Sequence, residues 1–334
     1  MTVKLPKIRG FQHVVKELRY SGGDVTEMTW TPKLKLHGTN AAIRFEHGGK
    51  VTAQKRSEDI WVGNDNFDFA LFVEAYKRQL QDWGAEALRY AGPNDAIVIH
   101  GEWAGPGIQK SVAVSQIPQK YFFPFAITVV DDGKKIFDFS DGVIPSGEVI
   151  RIPNWIKIQQ YAPSITVDIR FHQNLVDLAA WANTEVEKIE AEDPFIKEHF
   201  GISGIGEGLV FYPEVGLSLG MCSHSSFEKY AFKVKGEKHA VNKAGKPARI
   251  KSDIPADAYV FADQHLTNAR LEQGLQEVGQ DITLTGKFIG WICKDIATES
   301  ALEIQESGMD WKTQLSGVIT TRAREWYIRK CEEI

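Results

Sequence analysis

Apolar and polar residues alternate in many short segments of this chain and recur at helical spacing in a few longer ones. Alternation predicts strands, and a spacing of three to four residues predicts helices. The predicted extended segments are 25–30, 33–36, 41–45, 50–55, 96–100, 121–130, 207–213 and 230–235. The predicted helices before residue 237 are 67–90 and 167–190. This irregular order favours an α+β fold over alternating βαβ units.

Turn residues refine this pattern. His47-Gly48-Gly49 predicts a β-hairpin that joins segments 41–45 and 50–55. Pro32 indicates a turn or a sheet edge, and Pro124 indicates an edge or a bulge. Lys35 is therefore predicted to end a strand directly before a hairpin.

The pattern changes after residue 237. A segment with few apolar residues contains Lys238, Lys243, Lys246, Arg249 and Lys251. It predicts a basic linker over 238–254. Beyond it, helical spacing predicts helices over 264–278, 284–297 and 311–329. We therefore expect a first domain over 1–237 and a small all-helical domain over 255–334.

Composition narrows the class of protein. The 334 residues carry a formal net charge of −5, so contact with a nucleic acid would need a local basic patch. The three cysteines are far apart, which argues against a disulfide framework or a zinc site and fits a reducing cytoplasm. Neither a signal peptide nor an apolar stretch of about 20 residues is present, so we expect no membrane association.

Lys35 is a candidate covalent nucleophile, because it stands three residues before a glycine at a strand end. Lys-x-x-Gly also occurs at Lys7, Lys233 and Lys287, so the tetrapeptide does not single out Lys35. A lysine with the ordinary pKa of about 10.4 is protonated and unreactive near neutral pH. Burial or neighbouring cations would have to lower its pKa.

Lys233 and Lys235 alternate along a strand, so both side chains point to one face. They either supply the positive charge that would lower the pKa of Lys35 and bind phosphate, or they are surface lysines of an edge strand.

Other polar and aromatic residues have two interpretations each. Glu102 and Glu207 stand beside glycines, where a carboxylate can bind a ribose hydroxyl or a metal, or simply belong to a structural loop. Arg56 can contact phosphate in bidentate fashion, or Lys55 and Arg56 are simply a pair of basic surface residues. One of the phenylalanines on the strand after Tyr121 can stack on a base, although such residues are mainly core. His37 is either a turn residue or a phosphate ligand.

Six motifs occur in a recognisable order. They are Lys35-Leu-His-Gly, Lys55-Arg56-Ser, Gly101-Glu102-Trp-Ala-Gly-Pro-Gly, the strand from Phe122 to Ile127, Glu207-Gly-Leu-Val and Phe232-Lys233-Val-Lys235. This succession resembles the covalent nucleotidyltransferases: DNA ligases, RNA ligases and mRNA capping enzymes. It is most similar to the RNA ligase 2 family, through His-Gly-Thr-Asn after Lys35 and the run Gly-Glu-Trp-Ala-Gly-Pro-Gly-Ile-Gln-Lys.

The resemblance implies a fold and a set of roles. It implies an ATP-grasp-like nucleotidyltransferase domain of antiparallel sheets with flanking helices. Lys35 would attack the α-phosphate of ATP and become lysyl-AMP, and Lys233 and Lys235 would stabilise the charge that develops. Glu207 would help to place Mg²⁺ or Mn²⁺. The residues implied to bind the nucleotide are Lys35, His37, Asn40, Arg56, Glu102, Phe125, Glu207, Lys233 and Lys235. Those implied to engage RNA are Arg56, Phe67, Arg270 and Asp295.

The implied activity is ATP-dependent sealing of RNA ends that carry a 5′-phosphate and a 3′-OH, in a nick or a duplex, as in RNA repair. We expect a monomer in the cytoplasm of a bacterial or phage-infected cell. DNA ligases and capping enzymes typically continue into an OB-fold of short strands, so the helical pattern of 255–334 disfavours them. A non-catalytic RNA-binding protein on a ligase fold stays an alternative.

Two positions depart from the family pattern. Tyr212 stands where relatives usually have a lysine, which puts one basic contact in doubt. Ala126 stands where an acidic residue can follow the stacking aromatic.

Overall fold

The computed structural model describes residues 2–20, 25–92, 94–215, 220–236, 256–307 and 309–332. The chain divides into two compact units, Met1–Ile250 and Lys251–Ile334. The predicted basic linker lies outside the described residues, so the three-part organisation stays a prediction. In the described ranges no helix combines the length and the apolar character needed to cross a membrane.

The described part of the first unit contains two β-sheets. Its strands are β1 (Arg9–Gly10), β2 (Glu27–Lys35), β3 (Thr39–Glu46), β4 (Lys50–Lys55), β5 (Asp59–Ile60), β6 (Ala96–Ala104), β7 (Tyr121–Asp131), β8 (Lys134–Asp138), β9 (Ile165–Asp168), β10 (Gly208–Glu214), β11 (Met221–Ser223) and β12 (Phe232–Lys235). One sheet has the order β1-β12-β10-β2-β9, and the other has the order β11-β8-β7-β6-β3-β4-β5. All pairs are antiparallel except β1 with β12.

Helices flank these sheets. They are α1 (Phe11–Tyr20), α2 (Phe69–Ala75), α3 (Lys77–Ala87), α4 (Gly147–Ile150), α5 (His172–Ala191), α6 (Pro194–Phe200) and α7 (His224–Tyr230). Helices α1 and α5 cover the five-stranded sheet, and α2 and α3 cover the seven-stranded sheet. A third core cluster contains residues of both sheets, such as Val210 of β10 and Phe123 of β7. The predicted α+β fold is therefore confirmed.

The helix predicted over 67–90 is wrong in its extent. It is two helices, α2 and α3, with Tyr76 between them at φ −108° and ψ 19°. A helix cannot begin at Phe67, because Phe67 and Asp68 both have positive φ, 53° and 67°. The indole of Trp103 donates to the carbonyl oxygen of Phe67 at 2.8 Å and holds this backbone conformation.

Two further predictions differ from the structure. Residues 165–168 form strand β9, and α5 begins only at His172, because backbone pairing of Val167 with Met28 replaces the predicted helical bonds. Pro32 lies inside the single strand β2, opposite Phe211, and marks neither a turn nor a sheet edge. Its carbonyl accepts a hydrogen bond from the backbone of Tyr161 at 2.8 Å, so Pro32 still takes part in backbone pairing although it lacks the N–H donor.

The described part of the second unit is helical, as predicted. Its helices are α8 (Ala256–His265), α9 (Asn268–Val278), α10 (Thr285–Glu299), α11 (Ala301–Ser307) and α12 (Ser316–Glu332), and a π-helical turn spans Trp311–Leu315. Helices α10 and α12 pack through fully buried Phe288, Ile292 and Tyr327. This unit has its own apolar core.

Candidate active site

A cleft of about 320 Å³ opens in the first unit. Its polar lining consists of Lys35, His37, Asn40, Arg56, Glu102, Glu207, Lys233 and Lys235. Its apolar lining consists of Leu5, Pro6, Ile8, Leu34, Leu36, Phe125, Ile158, Val210 and Tyr212. All nine residues that were predicted to bind the nucleotide therefore line one cleft. A cleft of this size and mixed lining is typical of a small-molecule site.

Strand register explains why the lysines meet. Gly208 of β10 lies opposite Lys35 on β2 and opposite Lys235 on β12, so the three residues form one row across the sheet. Val210, two residues further along, lies opposite Lys33 and Lys233 in the same way. Residues two apart share a face of a sheet. The predicted common face of Lys233 and Lys235 is therefore confirmed, and Lys35 projects from the same face.

Glu207 forms ion pairs with two lysines of this row, Lys35 and Lys235. Its side chain is 1% exposed, and its Oε2 accepts a hydrogen bond from Lys35 Nζ at 2.6 Å. His37 Nδ1 lies 3.2 Å from the same oxygen, and Oε1 forms an ion pair with Lys235. Burial alone would raise the pKa of Glu207, but the hydrogen bond from His37 and the charges of the two lysines hold this pKa well below its usual range.

Lys35 is a protonated amine in this arrangement. Burial acts to lower its pKa, but the carboxylates of Glu207 and Glu102 outweigh burial and raise it. The expectation that neighbouring cations lower the pKa of Lys35 is wrong here, because its direct partner is a carboxylate. A protonated amine has no free lone pair, so the amine is not nucleophilic while this ion pair is closed.

Lys233 has the opposite shift. Burial lowers its pKa, and the positive charges of Lys235 and Lys35 lower it further, with a smaller contribution from Arg56. Four cationic side chains thus converge on the cleft beside two carboxylates. This surplus of positive charge suits an anionic ligand such as a polyphosphate.

Glu102 meets the backbone of the His-Gly turn. The amide of Gly38 donates to Glu102 Oε1 at 3.0 Å, and Gln109 Nε2 donates to the Gly38 carbonyl at 3.1 Å. A Cβ at residue 38 would lie 2.5 Å from the Trp103 carbonyl oxygen and 2.7 Å from Ala104 Cβ. Only glycine permits the backbone at residue 38 to lie this close to the end of β6. This close contact brings Gly38 within hydrogen-bond distance of Gln109 in the loop that follows β6.

The environment of Glu102 changes its titration. Burial is the largest cause and raises its pKa to about 7, the Lys35 charge opposes the shift, and the Glu207 charge adds to it. A carboxyl with a pKa near neutrality changes its charge in the working range of most enzymes.

Phe125 lies at a β-bulge in β7, and it is the aromatic residue of this strand that lines the cleft. His100 of β6 pairs with Ala126 and Gly101 pairs with Pro124, so Phe125 has no opposite residue. The bulge that Pro124 predicted is therefore confirmed. Phe125 lines the cleft, and its carbonyl accepts a hydrogen bond from Lys33 Nζ at 3.3 Å.

Lys33 was missed by the sequence reasoning. Its side chain is 1% exposed, forms an ion pair with Asp141 at 3.0 Å, and also donates to the Ile158 carbonyl at 3.4 Å. Its two-residue spacing from Lys35 was a signal that both side chains share a face. The apolar residues Leu5, Pro6 and Ile8 were missed too, and their spacing gave no sign of a site.

Three predicted RNA-binding residues lie outside this cleft. Phe67 is 50% exposed and does not line it. Arg270 and Asp295 belong to the second unit and bind each other, with Arg270 Nε 2.7 Å from Asp295 Oδ2. Arg270 also donates to the His265 carbonyl at 2.8 Å. Their roles toward RNA stay predictions.

The carboxylates fit a divalent cation that shares its ligands with phosphate. Glu102 and Glu207 supply oxygen donors, and the electrostatic effect of Glu207 on the pKa of Glu102 is a repulsion that a cation would relieve. Among the described residues no group of three or more His, Cys, Asp or Glu side chains is placed to hold a metal alone. Mg²⁺ commonly uses one or two carboxylates together with substrate phosphates and water.

The fold and the cleft define an α+β protein whose small-molecule site is lined by positively charged side chains. The profile of the RNA ligase family matches residues 28–235, which is more than half of the chain. The chain belongs to the RNA ligase family.

Three of the solved structures with distant similarity illustrate the range of the matches. A Naegleria gruberi RNA ligase variant solved with ATP and Mn is 13% identical with a TM-score of 0.43, over 73% of this chain and 59% of that chain. The N. gruberi RNA ligase solved with PPi is 13% identical with a TM-score of 0.41, over 71% and 57%. An archaeal ATP-dependent RNA ligase is 13% identical with a TM-score of 0.39, over 99% and 74%. The chain thus spans less than two thirds of the Naegleria chains.

Proposed function

We propose that the protein is an ATP-dependent RNA ligase that works through a lysyl-AMP intermediate on Lys35. The observation that carries the proposal is the position of Lys35. Its amine lies in a small-molecule cleft, paired with buried Glu207, in one row with Lys235 and near Lys233. A lysine that merely stabilised the fold would not need further cations gathered at the same cleft.

In the first step the Lys35 amine loses its proton to solvent and its lone pair attacks the α-phosphorus of ATP. The bond between the α-phosphorus and the bridging oxygen breaks, and pyrophosphate leaves. Lys233 and Lys235 bind the α-phosphate oxygens and stabilise their charge, while Arg56 contacts phosphate or the RNA end. Glu102 accepts hydrogen bonds from the ribose, and Phe125 stacks on the base.

His37 and Asn40 complete the nucleotide contacts. His37 keeps Glu207 oriented through their 3.2 Å contact, and Asn40 lies opposite Glu102 in the sheet register. Both side chains are therefore placed to support the two carboxylates during the first step.

Two further transfers follow. An oxygen of the RNA 5′-phosphate attacks the phosphorus of lysyl-AMP, the P–N bond breaks, and Lys35 regains a proton. A 3′-OH then attacks the 5′-phosphorus of the activated RNA, loses its proton, and releases AMP as the phosphodiester forms.

A bound Mg²⁺ or Mn²⁺ would neutralise phosphate charge and compete with Lys35 for Glu207. Glu207, and Glu102 beside it, are the side chains that would hold it. Coordination of a cation by Glu207 would weaken the ion pair that keeps Lys35 protonated. Glu207 is thereby proposed to couple nucleotide binding to activation of the nucleophile.

The substrate that we propose is RNA with a 5′-phosphate and a 3′-OH, in a nick or a duplex. Phe67 in the first unit and Arg270 and Asp295 in the second are proposed to support its engagement. The described cysteines are unpaired, which supports a reducing cytoplasm, and we propose a monomer in a bacterial or phage-infected cell.

The test is covalent labelling. The protein is incubated with α-labelled ATP and Mg²⁺, denatured and separated, and the adduct is mapped by mass spectrometry. We expect one label on Lys35, none in Lys35→Ala, and wild-type labelling in the matched controls Lys7→Ala and Lys287→Ala. Lys233→Ala is expected to lower the labelling rate through lost charge stabilisation without carrying the adduct.

Other outcomes separate the alternatives. Absence of label on the wild type, together with RNA binding, would leave a non-catalytic RNA-binding protein. Label from GTP alone would indicate capping chemistry. Sealing of a nicked duplex is then compared for RNA and DNA ends, and we expect activity only with RNA.

A further inference from the structure

Tyr212 occupies the apolar part of the cleft in a fixed orientation. Its residue surface is 2% exposed, and its ring packs 5.2 Å from that of Phe139 and 5.7 Å from that of Phe227. The ring of Phe137 is nearly parallel to it at 6.3 Å. Lys33 Nζ lies 6.0 Å from its ring centroid. Since aromatic neighbours and a buried cation surround the ring, Tyr212 is held rigidly at the cleft wall.

The hydroxyl of Tyr212 is available to a ligand. Tyr212 lines the cleft, and in the described part of the chain no hydrogen bond joins its hydroxyl to another protein group. A buried hydroxyl that lacks a partner is costly, so native proteins usually supply one. Here the open side is the cleft that also contains Glu102, whose charge acts on Tyr212.

The position along β10 indicates which part of a nucleotide Tyr212 meets. The lysine row passes through Gly208, four residues before Tyr212, which corresponds to about 13 Å along a strand. Phosphates belong at the lysine row, so the base belongs toward Tyr212. The neighbouring cleft side chains Phe125, Ile158 and Val210 offer only apolar surface to the base.

We infer that the Tyr212 hydroxyl recognises the nucleobase by donating a hydrogen bond to one of its ring nitrogens. The inference rests on the proposed function, because it assumes that the cleft binds ATP. Burial keeps the phenol neutral by raising its pKa far above the usual range. A neutral hydroxyl is therefore the polar group that Tyr212 offers to the base. Tyr212 is a specificity-determining residue in this cleft.

The experiment compares ATP with its 1-deaza, 3-deaza and 7-deaza analogues, each of which replaces one ring nitrogen by C–H. Equilibrium binding is measured by calorimetry without divalent metal, so that no covalent step intervenes. We expect the wild type to bind one analogue about tenfold more weakly than ATP, the value of one hydrogen bond. In Tyr212→Phe we expect ATP to weaken to the level of that analogue, and the two to bind equally.

Controls make the result specific. Tyr121→Phe removes a hydroxyl from a half-buried tyrosine that does not line the cleft, and it should bind all four nucleotides like the wild type. If the wild type binds ATP and all three analogues within twofold of each other, the inference is wrong whatever the variant does. An equal loss for every nucleotide in Tyr212→Phe would also overturn it, since that indicates a general change of the cleft.

The proposed function is tested separately by the covalent label. Labelling of Lys35 together with a flat analogue series refutes only the inference. Discrimination among the analogues without any label on Lys35 supports base recognition by Tyr212 and refutes the ligase chemistry.

Discussion

The Lys35 amine and the Glu207 carboxylate form a 2.6 Å ion pair between residues 172 positions apart in the chain. The pair stabilises the charged form of the amine, whereas the proposed attack on ATP needs the uncharged form. Glu207, by contrast, is ionised at neutral pH because its pKa is well below its usual range. In the proposed mechanism, activation of Lys35 therefore depends on opening this pair.

Glu207→Gln should change the pH dependence of lysyl-AMP formation. In the wild type the pKa of Lys35 is raised, so the labelling rate should increase with pH through and above neutrality as the amine loses its proton. Gln removes the charge that contributes most to this rise in pKa, so the increase in labelling rate should begin at lower pH. Rapid-quench labelling between pH 5 and 10 measures the rate at each pH and compares where the increase begins. A Glu207→Gln profile that rises at the same pH as the wild type, as we expect for the exposed control Glu86→Gln, would contradict the role of the ion pair.

Glu102 should make the nucleotide-free protein less stable as pH rises toward 7. Its folded pKa of about 7 exceeds the ordinary value of 4.5, so the folded state binds more protons between these values and the free energy of unfolding falls with pH. Glu102→Gln removes this titration and keeps a side-chain oxygen for the Gly38 amide. We expect it to stabilise the protein by about 3 kcal/mol more at pH 8 than at pH 4. Urea unfolding at both pH values measures the difference, and an equal effect at both would show that Glu102 titrates normally.

Gly38→Ala should destabilise the first unit and abolish labelling. The added methyl would meet the Trp103 carbonyl oxygen at 2.5 Å and Ala104 Cβ at 2.7 Å, so the turn must move away from Glu102. Overpacking of this kind costs about 1–3 kcal/mol. Gly142→Ala is the matched control, because no atom lies within 4 Å of a Cβ built there. Denaturant unfolding and the labelling assay provide the readouts, and wild-type behaviour of Gly38→Ala would show that the close approach is dispensable.

Lys33→Ala should lower stability while the covalent label stays on Lys35. Truncation leaves Asp141 and the carbonyls of Phe125 and Ile158 without their cationic partner, and loss of one member of a buried pair costs about 3 kcal/mol. The bulge that presents Phe125 should loosen, so the KM for ATP should rise. The label, mapped at a temperature where the variant is folded, distinguishes this positioning role from a nucleophilic one. An adduct on Lys33 in the wild type would overturn the assignment of Lys35.

Local rules predicted much of this site. The common face of Lys233 and Lys235 follows from the two-residue period of a strand, which depends only on neighbouring backbone geometry. The bulge at Pro124 was also foreseeable, because proline lacks the donor that regular pairing needs. The extent of the helix after Phe67 was not foreseeable, since Trp103, distant in sequence, holds the backbone that prevents its start.

The pKa shifts and ion pairs of the site could not be predicted from residue spacing along the chain. Neighbouring lysines or burial were expected to lower the pKa of Lys35, and it is raised because the charges of Glu207 and Glu102 outweigh burial. The partner of Lys33 is Asp141, more than 100 residues away. Such shifts depend on distance and burial together, and neither can be read from residue spacing.

The sequence by itself determined which strands alternate, where glycine gives the backbone room, and the order of motifs that marks the RNA ligase family. The tertiary structure decided that Glu207 pairs with Lys35, that Phe125 rather than its neighbours faces the cleft, and that Tyr212 offers a buried hydroxyl there. The physical reason is the range of the interactions involved. Backbone periodicity acts between adjacent residues, whereas ion pairs, bulge registers and desolvation arise only when distant strands meet.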